Sequence, residues 1–329
     1  VVACLFFGAI SGSSPATVAA IGGIMIPYMV REGYSKEFAT GLSAVSGSLG
    51  IIIPPSIPFV IYGIATNSNI GTLFIAGFGP GIMIGIALIV VSRFICKKRG
   101  YLGTERKSTG KEKLQAINEA KWALIMPLII LGGIYGGIFT PTEAAAVAIF
   151  YSLFVGFFVY KELKWKDVFS ILDTTASFVG AVMLAFAPAA ALGAVLSMLG
   201  VPGMVSDLLL SISSNIYVIM FIVMLVLIVA GMILDTISAI VLLAPILSGA
   251  LIPMGIDPIH LGTVMIVALA IGFVTPPVAQ NLFVASGMTG LPMHKIVKEA
   301  FPFIVTMLVC LVLITFFPEI SLALPTLLS

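Results

Sequence analysis

Long apolar stretches, separated by short polar or charged segments, run along the whole chain. Examples that contain no charged side chain are residues 38–92, 174–206 and 208–234. Each is longer than the roughly 20 residues that an α-helix needs to cross the hydrocarbon core of a bilayer. The pattern therefore predicts an all-α polytopic membrane protein, in which the longest stretches contain more than one helix.

Composition agrees with this pattern. Of the 329 residues, 60% are hydrophobic and 9% are charged, whereas a soluble domain has roughly 25% charged residues. The net charge of +2 requires no nucleic-acid partner to explain it. The first apolar run, 1–10, is too short to span a bilayer and has no signal-peptide features, so we expect N-terminal helices to be missing upstream of it.

The same proline motif interrupts two of the apolar stretches. Gly50 to Pro55 and Gly272 to Pro277 each consist of a glycine, three further residues and two prolines. Proline removes a backbone donor and clashes with the preceding turn, so each pair is expected to break its helix. A bilayer tolerates a broken helix only where it faces protein or a watery cavity. Two matching breaks therefore predict a transporter binding site at the interface of a repeat.

The basic residues give the topology. Lys and Arg occur in five clusters, at 31–36, 93–99, 106–121, 161–166 and 295–298. If all five are cytoplasmic, as the positive-inside rule requires, residues 1–30 form a re-entrant hairpin from the cytoplasm and residues 208–252 form one from outside. The hairpins turn at 11–14 and 231–236. Since they start from opposite faces, the two halves form an inverted repeat with two broken transmembrane helices.

The first hairpin tip is a candidate Na⁺ site. Its hydroxyls and flexible backbone face the first break and supply neutral oxygen ligands suited to a hard monovalent cation. The alternative is that these small residues only permit close helix packing. The expected site consists of Ser11, Gly12, Ser13, Ser14, Ser48, Gly50 and Ile53.

The second hairpin tip adds a carboxylate and is a candidate for a second Na⁺ site. A carboxylate at this depth costs at least about 2.5–3.5 kcal/mol, so a partner or a cation is expected beside it. The alternative is that Asp235 caps the following helix, a role compatible with ion binding. The expected site consists of Gly231, Asp235, Thr236, Gly272 and Thr275.

A solute is expected between the two tips, in contact with both breaks. The candidate residues are Ser13, Pro54, Pro55, Asp235, Pro276 and Gln280. Asn281 is equally compatible with a solute contact and a helix-to-helix hydrogen bond. Glu143, which follows Thr140 and Pro141, is expected to have a structural role in a helix N-terminus.

Two other classes of protein fit the sequence less well. A serine protease would need a base within hydrogen-bond reach of Ser13 or Ser14, whereas His260 and His294 lie at opposite predicted membrane ends. An ion channel would need a filter lined by a repeated loop rather than two broken helices. Because neither histidine is expected to reach these serines, we expect no enzymatic activity.

Four motifs together resemble the large membrane (M) subunit, of the DctM type, of tripartite ATP-independent periplasmic (TRAP) transporters. The resemblance covers essentially the whole chain, and the motifs occur in the order of the family. They are SGSSPATVAA from Ser11, GIIIPPSIP from Gly50, GGIFTPTEAAA from Gly136 and GMILDTIS from Gly231.

This resemblance implies a multi-pass protein of the bacterial inner membrane. It would import organic acids of the C4-dicarboxylate or sialic acid type with Na⁺ as the coupling ion. Its partners would be a small membrane (Q) subunit and a periplasmic solute-binding (P) protein. The alternative is a stand-alone Na⁺/carboxylate symporter of similar architecture that needs no binding protein.

The family's elevator mechanism also implies a division of the chain. Residues 1–95 would form the first half of a moving transport domain, and residues 208–329 the second half. Between them would lie a cytoplasmic basic connector, 96–121, and scaffold helices, 122–207.

Overall fold

The structure is a computed structural model and describes residues 1–101 and 109–328. These residues form sixteen α-helices with short connections and contain no β-strand. Seven of the described helices are long and apolar enough to cross a membrane, or eight if one bent pair counts as a single span. The prediction of an all-α polytopic membrane protein is therefore confirmed.

The first half of the repeat is a hairpin, a broken helix and a long helix. Only Gly12 and Ser13 separate the two arms of the hairpin, and residues 53–56 lie between the two parts of the broken helix, which bends by 40°. The helices are α1 (Val2–Ser11), α2 (Ser14–Arg31), α3 (Lys36–Gly47), α4 (Leu49–Ile52), α5 (Ile57–Thr66) and α6 (Ile70–Arg99).

Four helices follow before the second half begins. They are α7 (Gly110–Tyr135), α8 (Pro141–Phe154) with a π-helical turn (Val155–Val159), α9 (Trp165–Met198) and α10 (Val201–Ile212). The sequence did not predict α10 as a separate helix. It begins after Gly200, which has a φ of 73°, and carries Pro202 in its first turn, a position that proline favours.

The second half repeats the order of the first. Leu234 and Asp235 separate the arms of its hairpin. The helices are α11 (Ile216–Ile233), α12 (Thr236–Leu251) with a 3₁₀ turn (Ile252–Met254), α13 (Pro258–Gly272), α14 (Gln280–Thr289), α15 (Met293–Phe316) and α16 (Glu319–Leu328). Both predicted hairpin turns and both predicted breaks are present. The re-entrant insertion of the hairpins stays a prediction.

Contacts between the halves follow the symmetry of the repeat. Helix α2 packs on α14, and its counterpart α12 packs on α5, the counterpart of α14. In the same way α15 packs on α3, while α6 packs on α13. Each contact is converted into another when the two halves are exchanged, as a two-fold related repeat requires.

The chain divides into two compact units. One comprises Val1–Thr104 together with Ala189–Ser329, and the other comprises Glu105–Pro188. The predicted transport and scaffold domains are not tested by this division and stay predictions. Part of the predicted connector 96–121 is helical, since α6 continues to Arg99 and α7 begins at Gly110. Its residues 102–108 lie outside the described residues.

The smaller unit is held by hydrogen bonds between its helices. The hydroxyl of Tyr151 donates to the carbonyl oxygen of Trp122 at 2.7 Å, and that of Tyr160 to the carbonyl of Glu119 at 2.9 Å. At the start of α8, Thr140 and Glu143 form a reciprocal capping box, which satisfies two backbone donors. The structural role expected for Glu143 is therefore observed.

Helix α13 is the centre of the larger unit. Its residues from Leu261 to Ile271 are all fully buried or nearly so, which explains why this segment is apolar on every side. Tyr62 of α5 packs its ring against Gly262 and donates its hydroxyl to the carbonyl oxygen of Pro258 at 2.7 Å. A side chain at position 262 would overlap this ring, so a glycine there permits the two halves to meet.

Candidate ion and solute site

The first hairpin tip contacts the first break through its backbone. Gly12 has a φ of 60°, a conformation that glycine adopts without steric cost, and this lets α1 end and α2 begin within two residues. The carbonyl oxygen of Gly12 accepts a hydrogen bond from the N–H of Ile57 at 3.3 Å. The tip therefore lies directly against the residues that follow Pro54 and Pro55.

Three oxygen atoms of the first tip form a cluster, and two of them lie beside Gly50. The hydroxyl of Thr17 donates to the carbonyl oxygen of Ser13 at 2.8 Å and lies 2.9 Å from the Oγ atom of Ser11. A Cβ atom on Gly50 would overlap the Thr17 hydroxyl and lie 2.7 Å from the carbonyl oxygen of Ser13. Since there is no room for a larger residue, glycine at position 50 brings the break onto this oxygen cluster.

Ser14 and Ser48 are fully buried beside the first break. The hydroxyl of Ser14 is 3.1 Å from the carbonyl oxygen of Gly47, and the Oγ atom of Ser48 accepts from Asn281 at 3.2 Å. Ile53 is also buried and ends the short helix α4. The structure thus brings the tip residues Ser11 to Ser14 close to Gly50 and to the residues after Pro55. Ion binding by these residues stays a prediction.

The second hairpin tip contacts the second break in the same way. The N–H of Val278, just after Pro276 and Pro277, donates to the carbonyl oxygen of Met232 at 3.2 Å. Gly231 and Gly272 lie in direct backbone contact, because a Cβ atom on Gly272 would lie 2.7 Å from the carbonyl oxygen of Gly231.

Asp235 caps helix α12. Its carboxylate accepts from the N–H groups of Ile237 at 3.2 Å and Ser238 at 3.1 Å, and from the hydroxyl of Ser238 at 2.8 Å. The side chain is exposed at the tip. The capping role is therefore observed. The Asp235 carboxylate remains accessible to a ligand while it caps the helix. A residue that both caps a helix and binds an ion must meet this condition.

Two buried hydroxyls lack a hydrogen-bond partner among the described residues: those of Ser46 and Thr236. Thr236 is a predicted residue of the second ion site and begins α12, whereas Ser46 lies in α3 and lines a cavity with Cys4, Met25 and Leu42. An unpaired buried hydroxyl is costly, and a cation is one partner that would offset this cost. The hydroxyl and carbonyl oxygen atoms present at both tips are ligands that suit Na⁺.

The candidate solute residues differ in exposure. Asp235 and Pro276 are exposed, Ser13, Pro55 and Gln280 are half-buried, and Pro54 is buried. Both proline pairs contain a cis peptide bond. His260 lies elsewhere, where its Nδ1 atom is 3.1 Å from the Oγ atom of Ser321 and its Nε2 atom is 3.3 Å from the carbonyl oxygen of Thr315.

The sequence did not single out Thr17 as a site residue, and it left Asn281 between a solute contact and a helix-to-helix hydrogen bond. The structure shows the helix-to-helix bond for Asn281. The spacing of Ser13 and Thr17 on one helical face was the available signal for the first, since residues four apart on a helix lie side by side. For Asn281, the only signal was an amide soon after a proline pair.

A family model described as the DctM component of the tripartite ATP-independent periplasmic transporter matches residues 1–320. The chain is also similar to curated proteins over nearly all of its length. It is 43% identical over 319 residues to the isethionate TRAP transporter permease protein DctMQ of Oleidesulfovibrio alaskensis. These aligned residues make up 97% of this chain and 50% of that protein.

Two further relatives carry different substrates in their names. The chain is 42% identical to the C4-dicarboxylate TRAP transporter large permease protein DctM of Pseudomonas aeruginosa, over 99% of this chain and 76% of that protein. It is 38% identical to the sialic acid TRAP transporter large permease protein SiaM of Vibrio cholerae, over 99% of this chain and 76% of that protein.

Proposed function

Since the chain belongs to the DctM family of TRAP transporter components, we propose that it is the transport subunit of a Na⁺-coupled secondary importer of organic acids. The proposed solutes are of the C4-dicarboxylate or sialic acid type. The family is one of transporter subunits rather than enzymes. As a multi-pass protein, the chain would reside in the bacterial inner membrane.

The observation that carries the proposal is the paired contact of tips and breaks. Gly12 accepts from Ile57 in the first half, and Met232 accepts from Val278 in the second. Each tip therefore closes on backbone that follows a proline pair, where a helix is interrupted and its polar groups are available. Two such places in a repeat supply oxygen ligands for two coupling ions.

Charge explains how cations would couple to an anionic solute. The two tips and the two proline motifs contain no Lys or Arg, so no fixed cation is present there to hold a carboxylate. Bound Na⁺ would supply that positive charge, and the N-terminal ends of α5 and α14 would add to it. Solute binding would then depend on Na⁺, and Na⁺ binding on solute, by the same factor.

The proposed partners are a small membrane subunit and a periplasmic solute-binding protein. One relative is named DctMQ, which suggests a permease that joins both membrane subunits in one protein. In the proposed elevator mechanism, the hairpins and broken helices move together against scaffold helices. The packing of α2 on α14 and of α12 on α5 supports this, since it joins both halves into one body.

Transport by reconstituted vesicles tests the proposal. The chain is purified with the small subunit and the binding protein from the same genome, and uptake of radiolabelled succinate, sialic acid and isethionate is measured. We expect uptake of one acid that requires both an inward Na⁺ gradient and the binding protein.

Equal uptake when choline replaces Na⁺ would contradict the coupling. Full uptake without the binding protein would indicate a stand-alone symporter instead.

A further inference from the structure

Asn281 connects the second break to the first half of the repeat. It is the second residue of α14, and its side chain is fully buried. Its backbone N–H donates across the second break to the carbonyl oxygen of Phe273 at 3.0 Å. Its side-chain Nδ2 atom lies 2.7 Å from the Oγ atom of Ser14 and 3.1 Å from the carbonyl oxygen of Ala44. One residue therefore touches both broken helices and the first hairpin.

The contacts determine the orientation of this amide. The carbonyl oxygen of Ala44 can only accept a hydrogen bond, so the NH₂ group must face it. The Oδ1 atom then lies 3.0 Å from the Oγ atom of Ser14, which is also 3.1 Å from the carbonyl oxygen of Gly47. The Ser14 hydroxyl has one proton, which it donates either to the Oδ1 atom of Asn281 or to the carbonyl oxygen of Gly47. Rotation of one hydroxyl therefore changes how the second break is bonded to the first tip.

The first half has no equivalent link. In α5, the counterpart of α14, the second residue is Pro58. The residue that precedes Asn281 by the spacing between the two proline pairs is Phe59. Neither of these side chains carries an amide. The connection between the halves at this depth therefore runs from the second break to the first tip, and it is not repeated by the symmetry.

We propose that Asn281 is a positioning residue that makes binding of Na⁺ at the two tips cooperative. This inference rests on the proposed Na⁺ coupling. A cation at the first tip requires the hydroxyl protons of Ser14 and Ser48 to point away from it. That requirement fixes the bonds of both serines with Asn281, and a buried amide that lost these partners would be strongly disfavoured. The second break is thereby held in the arrangement that binds the other ion.

Equilibrium binding of ²²Na⁺ to the purified permease complex tests this role without a solute. We expect the wild type to bind with a Hill coefficient above 1. Asn281→Ala should bind the same amount at saturation, with a Hill coefficient of about 1 and an apparent affinity lower by about five-fold or more. Asn69→Ala is the matched control, because Asn69 caps α6 by accepting from Thr72 at 3.0 Å. Its loss should lower thermal stability and leave cooperativity unchanged.

Each result decides the inference. Cooperative binding by Asn281→Ala, or binding by the wild type without cooperativity, overturns the role of Asn281 and leaves Na⁺ coupling intact. Absence of saturable ²²Na⁺ binding in the wild type overturns both. If Asn281→Ala does not yield folded protein, Asn281→Ser replaces it, since it leaves room for a water at the position of the amide, and the same loss of cooperativity is expected.

Discussion

Gly231 and Gly272 are in backbone contact, so that a methyl group on either one would overlap the other helix. A Cβ atom on Gly231 would lie 2.9 Å from the Cα atom of Leu269, and one on Gly272 would lie 2.7 Å from the carbonyl oxygen of Gly231. This contact places the second tip on the second break. It is the counterpart of the contact of Gly50 with the first tip, and its removal is the simplest way to separate a tip from its break.

Gly272→Ala is expected to abolish Na⁺-dependent uptake while the protein still inserts into the membrane. The added methyl group forces the tip and the break apart, at a cost of about 1–3 kcal/mol. Gly287→Ala is the control, because nothing lies within 4 Å of a Cβ atom at that position of α14. Uptake is measured in vesicles, and equal activity of the two variants would contradict the importance of the contact.

Asp235→Asn is expected to raise the Na⁺ concentration that gives half-maximal uptake. Asparagine caps a helix about as well as aspartate, so α12 is preserved and only the charge is lost. Asp257→Asn is the matched control, since Asp257 caps α13 by the same contacts, to Ile259 at 2.8 Å and His260 at 3.1 Å. An unchanged Na⁺ dependence in Asp235→Asn would remove this residue from the site.

Thr236→Val tests whether the Thr236 hydroxyl is a Na⁺ ligand or is only buried. The hydroxyl of Thr236 lacks a partner among the described residues, so without Na⁺ its loss should leave thermal stability unchanged or higher. With Na⁺, the added stability of the wild type should be reduced in the variant.

Thr263→Val is the contrasting control for this measurement. Its hydroxyl donates to the carbonyl oxygen of Ile259 at 2.9 Å, so its loss should cost about 1 kcal/mol whether or not Na⁺ is present. Equal stabilisation by Na⁺ of the wild type and of Thr236→Val would show that Thr236 is not a ligand.

The predicted topology places the start of α7 in the cytoplasm and the turn after α12 outside. Cysteines at Lys111 and Pro253, both exposed, should react with an impermeant maleimide from opposite sides of the membrane. The background lacks the three native cysteines, Cys4, Cys96 and Cys310. Labelling of both positions from the same side would contradict the re-entrant second hairpin, and the inverted repeat with it.

Local chemistry made much of the architecture predictable from the sequence. Proline pairs at Pro54 and Pro276 interrupt a helix in any context, because they remove donors and clash with the preceding turn. The polar residues at 11–14 and the positions of the basic clusters likewise placed both hairpin turns. The repeat followed from the order of these signals, without knowledge of any tertiary contact.

The remaining features depend on packing between distant segments. Asn281 meets Ser14 only because α14 packs on α2, and no pattern near position 281 specifies that partner. Thr17 reaches Gly50 for the same kind of reason. The exposure of Asp235 depends on which parts of the tip are covered by neighbouring helices, which its apolar flanks in the sequence do not reveal.

The most direct test of the account is the number of Na⁺ ions that the permease complex binds at saturation, measured with ²²Na⁺ in choline-containing buffer. If each tip and its break form one ion site, the wild type binds two ions per chain, and Gly50→Ala and Gly272→Ala each bind one. If both variants bind as many ions as the wild type, or if the wild type binds none, the tips and breaks are not the ion sites.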